Sequence, residues 1–226
     1  MKHNFHYILL TSLLILSCQN PESQAEENDY KFQNGDLNST FKKEETINTS
    51  NESQFENDEN ERKLKIQKDS LLAEGWEEKD LQNGQLPSCY NFLPQKGKFD
   101  NSLDVHVGGG TDVTLKLMNI KSNNCVRFIF INSGSSHHIS HIPEGKYYLK
   151  IAYGKNWLSK ITNGQCIGKF IRNPLYEKGE DILDFNIQYK TNGYSIPSYR
   201  LDLDVISDEI NNTFSSQNIN EEEFNR

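Results

Sequence analysis

Three cysteines, four histidines and a scatter of carboxylates, hydroxyls and aromatic rings carry the potential chemistry of the C-terminal part of this chain. The cysteines are Cys89, Cys125 and Cys166. No two are spaced Cys-x-x-Cys, so neither a redox dithiol nor a structural zinc site is expected. Three thiols allow one intramolecular bridge and leave one over. Spacing does not choose the pair. Placement favours Cys89 with Cys166, because both sit near turns while Cys125 opens an apolar run. A set of buried, inert thiols is the alternative reading.

The histidines are His106, His137, His138 and His141. In an extended strand, at ~3.3 Å per residue, His137 and His141 share a face about 13 Å apart, and His138 points the other way. Zinc–nitrogen bonds are ~2.0–2.1 Å, so no two of these rings share an ion without a bend. His106 can join them only through the fold. No cofactor is expected and no metal is assigned; a metal-binding protein using these four histidines is the less favoured alternative. Ser133-Gly134-Ser135-Ser136 lacks the strand-to-helix elbow of a nucleophilic serine. Gly108-Gly109-Gly110 is followed by Thr111-Asp112 and no lysine, which suits a turn or bulge and not a phosphate loop. Asp202 and Asp204 share a strand face by parity, a solvated arrangement on a sandwich exterior. No residue is read as catalytic, and an enzyme is not expected. The aromatic rings remain. Tyr148 falls on a wet strand face by parity, and Trp157, Tyr176 and Tyr194 fall in expected loops. Such rings can stack on sugars or anchor a protein partner; the alternative is that they close the ends of a core.

The N-terminus points to a compartment. Lys2 precedes the apolar run Ile8–Leu16, which is too short to cross a bilayer and suits the core of a signal peptide. The run ends in Ile15-Leu16-Ser17-Cys18, which resembles the bacterial lipobox, although Leu16 is larger than the residue usual at its position. That resemblance implies cleavage after residue 17 and a diacylglycerol on Cys18, usually with a further N-acyl chain. Several acyl chains hold a protein to a membrane far longer than one. Gln19, in place of Asp, favours the outer membrane by analogy with lipoprotein sorting. The implied partners are the membrane, through Cys18, and an envelope protein or glycan.

Composition divides the rest. Residues 18–60 are rich in Asn, Glu, Ser, Gln and Asp and read as a disordered tether, reaching roughly 35 Å as a random coil. Residues 61–84 hold Leu64, Leu71, Leu72, Trp76 and Leu81 at loose helical spacing, and read as a short helical lead-in that stops at Asn83-Gly84. From 19 to 84 there are seventeen acidic and eight basic side chains, a net of −9. With Lys2 in the signal and a chain total of −8, residues 85–226 are neutral. The acidity belongs to the tether, and nothing in the domain has the basic patch that nucleic acid needs.

Residues 85–207 change to period two. Leu103, Val105 and Val107 alternate with Asp104 and His106; Val113, Leu115 and Leu117 with Thr114, Lys116 and Met118; Leu183, Phe185, Ile187 and Tyr189 with Asp184, Asn186 and Gln188. Similar alternation covers 146–153 and 199–205. Each stretch reads as an antiparallel strand with one dry and one wet face, and Cys125–Ile131, apolar on both faces, as a central strand. Turn signals such as Asn163-Gly164 and Asn192-Gly193 separate them. The expected fold is all-β: a single sandwich of seven to eight antiparallel strands, preceded by a short helix and the tether. Residues 208–226 read as a polar tail in which Asn218 can cap a short helix. The stretch Ile139-Ser140-His141-Ile142-Pro143-Glu144-Gly145-Lys146-Tyr147-Tyr148-Leu149-Lys150-Ile151 resembles the hairpin of transthyretin-like, carboxypeptidase-regulatory-like sandwiches. The chain is also similar to bacterial envelope lipoproteins that carry such a module. Those resemblances imply a structural or interaction domain without catalysis.

Overall fold

Seven strands of five residues or more build two facing sheets. The computed structural model describes residues 49–87, 89–91, 93–206, 209–210, 212 and 214–226. Helix α1 (Thr49–Ala73) leads through β1 (Glu77–Glu78) into β2 (Ser102–Val107), β3 (Asp112–Asn119), β4 (Cys125–Ile131), β5 (Ser136–Ser140), β6 (Lys146–Thr162) and β7 (Gln165–Gly179). Shorter pieces follow: β8 (Leu183–Asp184), β9 (Gln188–Lys190), β10 (Gly193–Ser195), β11 (Tyr199–Leu203), β12 (Val205–Ile206), β13 (Glu209–Ile210), β14 (Ser216–Asn218) and α2 (Glu221–Asn225). The large sheet runs β14-β7-β6-β3-β4, with β1 and β8 added at β6; the small sheet runs β11-β2-β5.

The core between the sheets follows from alternation. Leu103, Val105 and Val107 of β2 face Val113, Leu115 and Leu117 of β3, with Ile129, Ile131, Leu149, Ile151, Leu201 and Leu203 around them. Leu115 sits opposite Ile129 on one side and Ile151 on the other, so its side chain is fully buried. The fold class is that of the sequence reading, an all-β sandwich led by a helix. One pairing differs. β11 lies parallel to β2, Tyr199 beside Leu103 through Leu203 beside Val107. Both strands enter from the same end, where the Ser102 amide donates to Ser198 Oγ at 3.1 Å, so they run the same way.

The segment resembling a hairpin is a corner. Among the described residues β5 pairs only with β2 of the small sheet, whereas β6 pairs with β3 and β7 of the large one. The chain crosses between sheets at His141, whose φ is 52°, and at Gly145, φ 153°. Asn101 secures the crossing: its side chain donates to the Ile142 carbonyl at 2.7 Å and accepts from the Ile142 amide at 2.6 Å. Arg127 stitches the two sheets with bonds to the carbonyls of Gln95 at 2.5 Å and His141 at 3.0 Å.

The outer face of the large sheet is not wet. Thr114, Lys116 and Met118 of β3 are all buried. Three covers lie on that face. Helix α1 brings Leu64 and Leu71 to Trp76, Leu158 and Ile171. The segment after it brings Leu81, Leu86 and Tyr90, and α2 brings Phe224, onto Phe128, Phe130, Trp157 and Phe170. β4 is therefore an edge strand buried on both faces, not a central one. Its edge is met by the same segment: the Phe130 amide donates to the Gln85 carbonyl at 2.9 Å, and the Phe130 carbonyl accepts from the Gly84 amide at 2.7 Å.

The helix differs in extent from the sequence reading. It starts at Thr49, inside the stretch read as tether, and stops at Ala73. Gly75, at φ 87°, ends it. The Gly75 amide donates to Leu72 O and the Trp76 amide to Leu71 O, the two bonds of a Schellman stop, and Trp76 packs on Leu71. The C-terminal stretch is folded, not a loose tail. Asn218 lies in β14 opposite Glu177, and Asn220 is the residue that caps α2, accepting from the Glu223 amide at 2.8 Å. Phe224 is fully buried. Glu177, buried in the core, accepts from Tyr153 Oη, from Asn212 Nδ2 at 2.5 Å and from Ser216 Oγ at 2.6 Å, which ties this stretch to the sandwich. Burial pushes the Glu177 carboxyl above the usual carboxylate range.

Candidate functional site

The outer face of the small sheet gathers most of the histidine chemistry. Register sets Arg200 beside Asp104 and Asp104 beside His138; the next row is Asp202, His106 and Ser136. His138 Nδ1 donates to Asp104 Oδ1 at 2.5 Å, and His106 Nδ1 shares a hydrogen bond with Ser136 Oγ at 2.9 Å. The Ser–His and His–Asp contacts thus use two different rings, and they do not chain into a triad. His137 turns to the opposite side and lies against Gly84, leaving no room there for a Cβ. Burial and the neighbouring His138 push the His137 imidazole below its ordinary value. His141 is in the corner, off the strand. Among the described residues, no group of three His, Cys, Asp or Glu side chains could hold a metal ion. Asp202 is drawn to Arg200, which with the adjacent His106 holds its carboxyl below the usual range. Asp204 leaves the strand and accepts from the Val205 amide at 2.9 Å, so the two aspartates form no pair.

The aromatic residues do not share a surface. Trp157 is 4% exposed and belongs to the core under the covers, where it meets Phe170 edge-on at 4.9 Å. Tyr176 packs in the same cluster, 5.6 Å from Phe224. They read as loop residues because β6 and β7 are long, 17 and 15 residues, and carry the sheet well past the sandwich. Tyr148 donates to Asn123 Oδ1 at 2.6 Å, and Lys178 Nζ lies over its ring. Only Tyr194 is broadly exposed, at 60%, on the β9–β10 hairpin. Its cross-strand neighbour is Tyr189, 80% exposed. Parity had put Tyr189 on a dry face. The alternation over 183–189 is broken between β8, which joins β6 just before the buried Phe185, and β9, which among the described residues pairs only with β10.

The cysteines meet under the C-terminal helix. Cys89 and Cys166 form a disulfide with Cα atoms 5.5 Å apart, and Cys125 is a free, half-buried thiol. All three line one cavity of about 450 Å³. Lys116 and Met118 of β3, Tyr90, Gln165 and Arg226 line it too. Lys116 is 5% exposed. It reads as a wet-face residue in sequence, and only the cover over β3 makes it part of a site. Its Nζ donates to the Phe224 carbonyl at 2.8 Å, at the end of α2, and stands over the rings of Tyr90, Phe128 and Phe224 at 5.6, 5.0 and 4.4 Å. Its register neighbour Lys150 donates to the Glu223 carbonyl at 2.6 Å. Two cations at a helix C-terminus are well placed against its partial negative charge. Burial nevertheless lowers the Lys116 ammonium to about 8 and raises the Cys125 thiol to about 11.

No family model matches the chain, and neither a curated protein nor a solved structure does.

Proposed function

We propose that this protein is a lipid-anchored component of a bacterial cell envelope, at the outer membrane, that presents one β-sandwich as a structural or interaction module and catalyses no reaction. The observation that carries the reading is Ile15-Leu16-Ser17-Cys18 at the end of a short apolar run. Cys18 lies outside the described residues. Among the described residues no helix is long and apolar enough to cross a membrane. The sequence likeness of Ile139–Ile151 to transthyretin-like modules suggests an interaction role, although the segment forms a corner between the sheets and not a hairpin. The test is a Cys18→Ala variant expressed in a Gram-negative host and compared with the parent by fractionation and fatty-acid labelling. The parent should take up label and sediment with membranes, and the variant should do neither. A variant that stays with the membrane as before overturns the anchor.

A second reading, a glycan- or peptide-binding lipoprotein, is favoured by one observation. Tyr189 and Tyr194 are cross-strand neighbours on a hairpin that, among the described residues, pairs with no other strand. Two adjacent, exposed phenol rings offer flat apolar area with a polar tip at low entropic cost. This reading rests on that pair alone, since Trp157 and Tyr176 are core residues. Replacing both tyrosines by alanine should abolish retention on envelope glycan or peptide arrays while leaving thermal unfolding in place. Retention unchanged by the double substitution removes the reading.

A further inference from the structure

The cavity beside the end of α2 has a buried cation and no acidic side chain in its lining. None of its fourteen lining residues is Asp or Glu, although the chain has 32 of them. Two lining residues are cations, Lys116 and Arg226. Arg226 is already engaged, donating to Glu222 Oε1 at 2.5 Å. Lys116 is not matched by any acid. An ammonium has three N–H donors. One goes to the Phe224 carbonyl, and among the described residues the other two have no acceptor. A buried charge without a counter-charge is costly, and a cation on the wall of an open cavity invites one from outside.

The rest of the lining says what kind of anion fits. Tyr90, Phe128 and Met118 supply apolar area beside the ammonium, and the amides of Asn124 and Gln165 supply donors at the rim. The volume, about 450 Å³, is within the range of small-ligand pockets, ~300–1,000 Å³. One unmatched positive charge calls for one negative charge. The Cys125 thiol stays neutral, so it adds no second anion, and a dianion would bring one charge too many.

We propose that this cavity is a binding site for a small monocarboxylate bearing one apolar group, with the carboxylate on Lys116 Nζ and the apolar part against Tyr90, Phe128 and Met118. The site is independent of the membrane anchor and of the tyrosine hairpin, so its failure leaves both of those readings untouched.

The protein carries its own reporter. It has two methionines, Met1 and Met118, and Met118 lines the cavity. Met1 falls in the segment read as a cleaved signal, so the mature chain labelled with ¹³C at the methionine methyl gives one signal, from the site. Benzoate is the probe, benzamide its neutral isostere, and phenyl phosphate its dianionic counterpart. Benzoate should move the Met118 signal saturably. Benzamide should bind at least about tenfold more weakly, and phenyl phosphate should also be the weaker ligand. Lys116→Leu should weaken benzoate by about tenfold or more. Should that variant fail to fold, Gln165→Leu at the exposed rim should weaken it about two- to fivefold. Benzoate binding in the parent should also fade as pH rises through 8, when Lys116 loses its proton. Three results would each overturn the proposal: no Met118 movement at about 50 mM benzoate, benzamide binding as well as benzoate, or phenyl phosphate binding as the stronger ligand. Unchanged binding in a folded Lys116→Leu variant would do so as well.

Discussion

The two outer faces of this sandwich carry similar residue patterns and meet opposite fates. On the small sheet, Asp104, His106, Arg200 and Asp202 alternate with buried apolar residues and stand in water. On the large sheet, Thr114, Lys116 and Lys150 also alternate with apolar residues, and all three are buried. The difference lies in what lies over them. Nothing among the described residues covers the small sheet, whereas α1, the segment 76–90 and α2 cover the large one. A charged residue in a period-two pattern therefore marks the face away from the core, and other parts of the chain decide whether that face is dry.

The comparison can be broken most directly at the cover. Phe224→Ala should cost about 3–5 kcal/mol in urea unfolding, as deletion of a fully buried ring does, because the C-terminal helix holds the aromatic cluster closed. A loss below about 1 kcal/mol would mean the cover is dispensable. Next in size is the disulfide. Cys89→Ser with Cys166→Ser opens a link across 77 residues and should cost roughly 2–4 kcal/mol under the same measurement.

A pH titration of stability sharpens the comparison, since Lys116 and Cys125 on the covered face are both shifted by burial. The Lys116 ammonium is lowered from 10.5 to about 8, mainly by burial. Between those values the unfolded chain binds more protons than the folded one, so stability rises with pH. The Cys125 thiol is raised from 9.0 to about 11, again mainly by burial. Its contribution is full below 9 and is lost as pH climbs toward 11. Stability should therefore rise from pH 8 to 9 by up to about 1 kcal/mol, level off while the two effects oppose each other, and fall beyond 10.5. In Cys125→Ser the rise should continue past 9, and in Lys116→Leu it should vanish. A flat profile in the parent would show that neither group is buried as described. The smallest effects belong to the bare face. His138→Ala and His106→Ala should each change stability by no more than about 0.5 kcal/mol.

Much of the sandwich was readable beforehand. The inward residues of β2, β3 and β11 fall where alternation puts them, and Asn163-Gly164 turns the β6–β7 hairpin with both φ values positive, 54° and 77°. Where the reading failed, a long-range contact overrode a local pattern. β4 is apolar on both faces because a non-adjacent segment covers it, not because it is central. Tyr189 continues the alternation of Leu183 and Phe185 in sequence, but the chain leaves the sheet between them. The candidate site was the least legible part. Lys116, Tyr90 and Gln165 are far apart in sequence, and no spacing rule connects them.

By itself the amino-acid sequence determined that the domain is an all-β sandwich, because side-chain direction in a strand has a period of two and burial must follow it. Tertiary structure alone decided which wet-looking face is dry, that β11 joins β2 in parallel, and that a buried lysine, three cysteines and the last helix enclose one cavity. Those outcomes depend on which distant segments come together: burial of Trp76, Leu81 and Phe224 dries the outer face of the large sheet, and burial of Leu201 and Leu203 brings β11 into the core between the sheets, neither of which the local pattern of a strand decides.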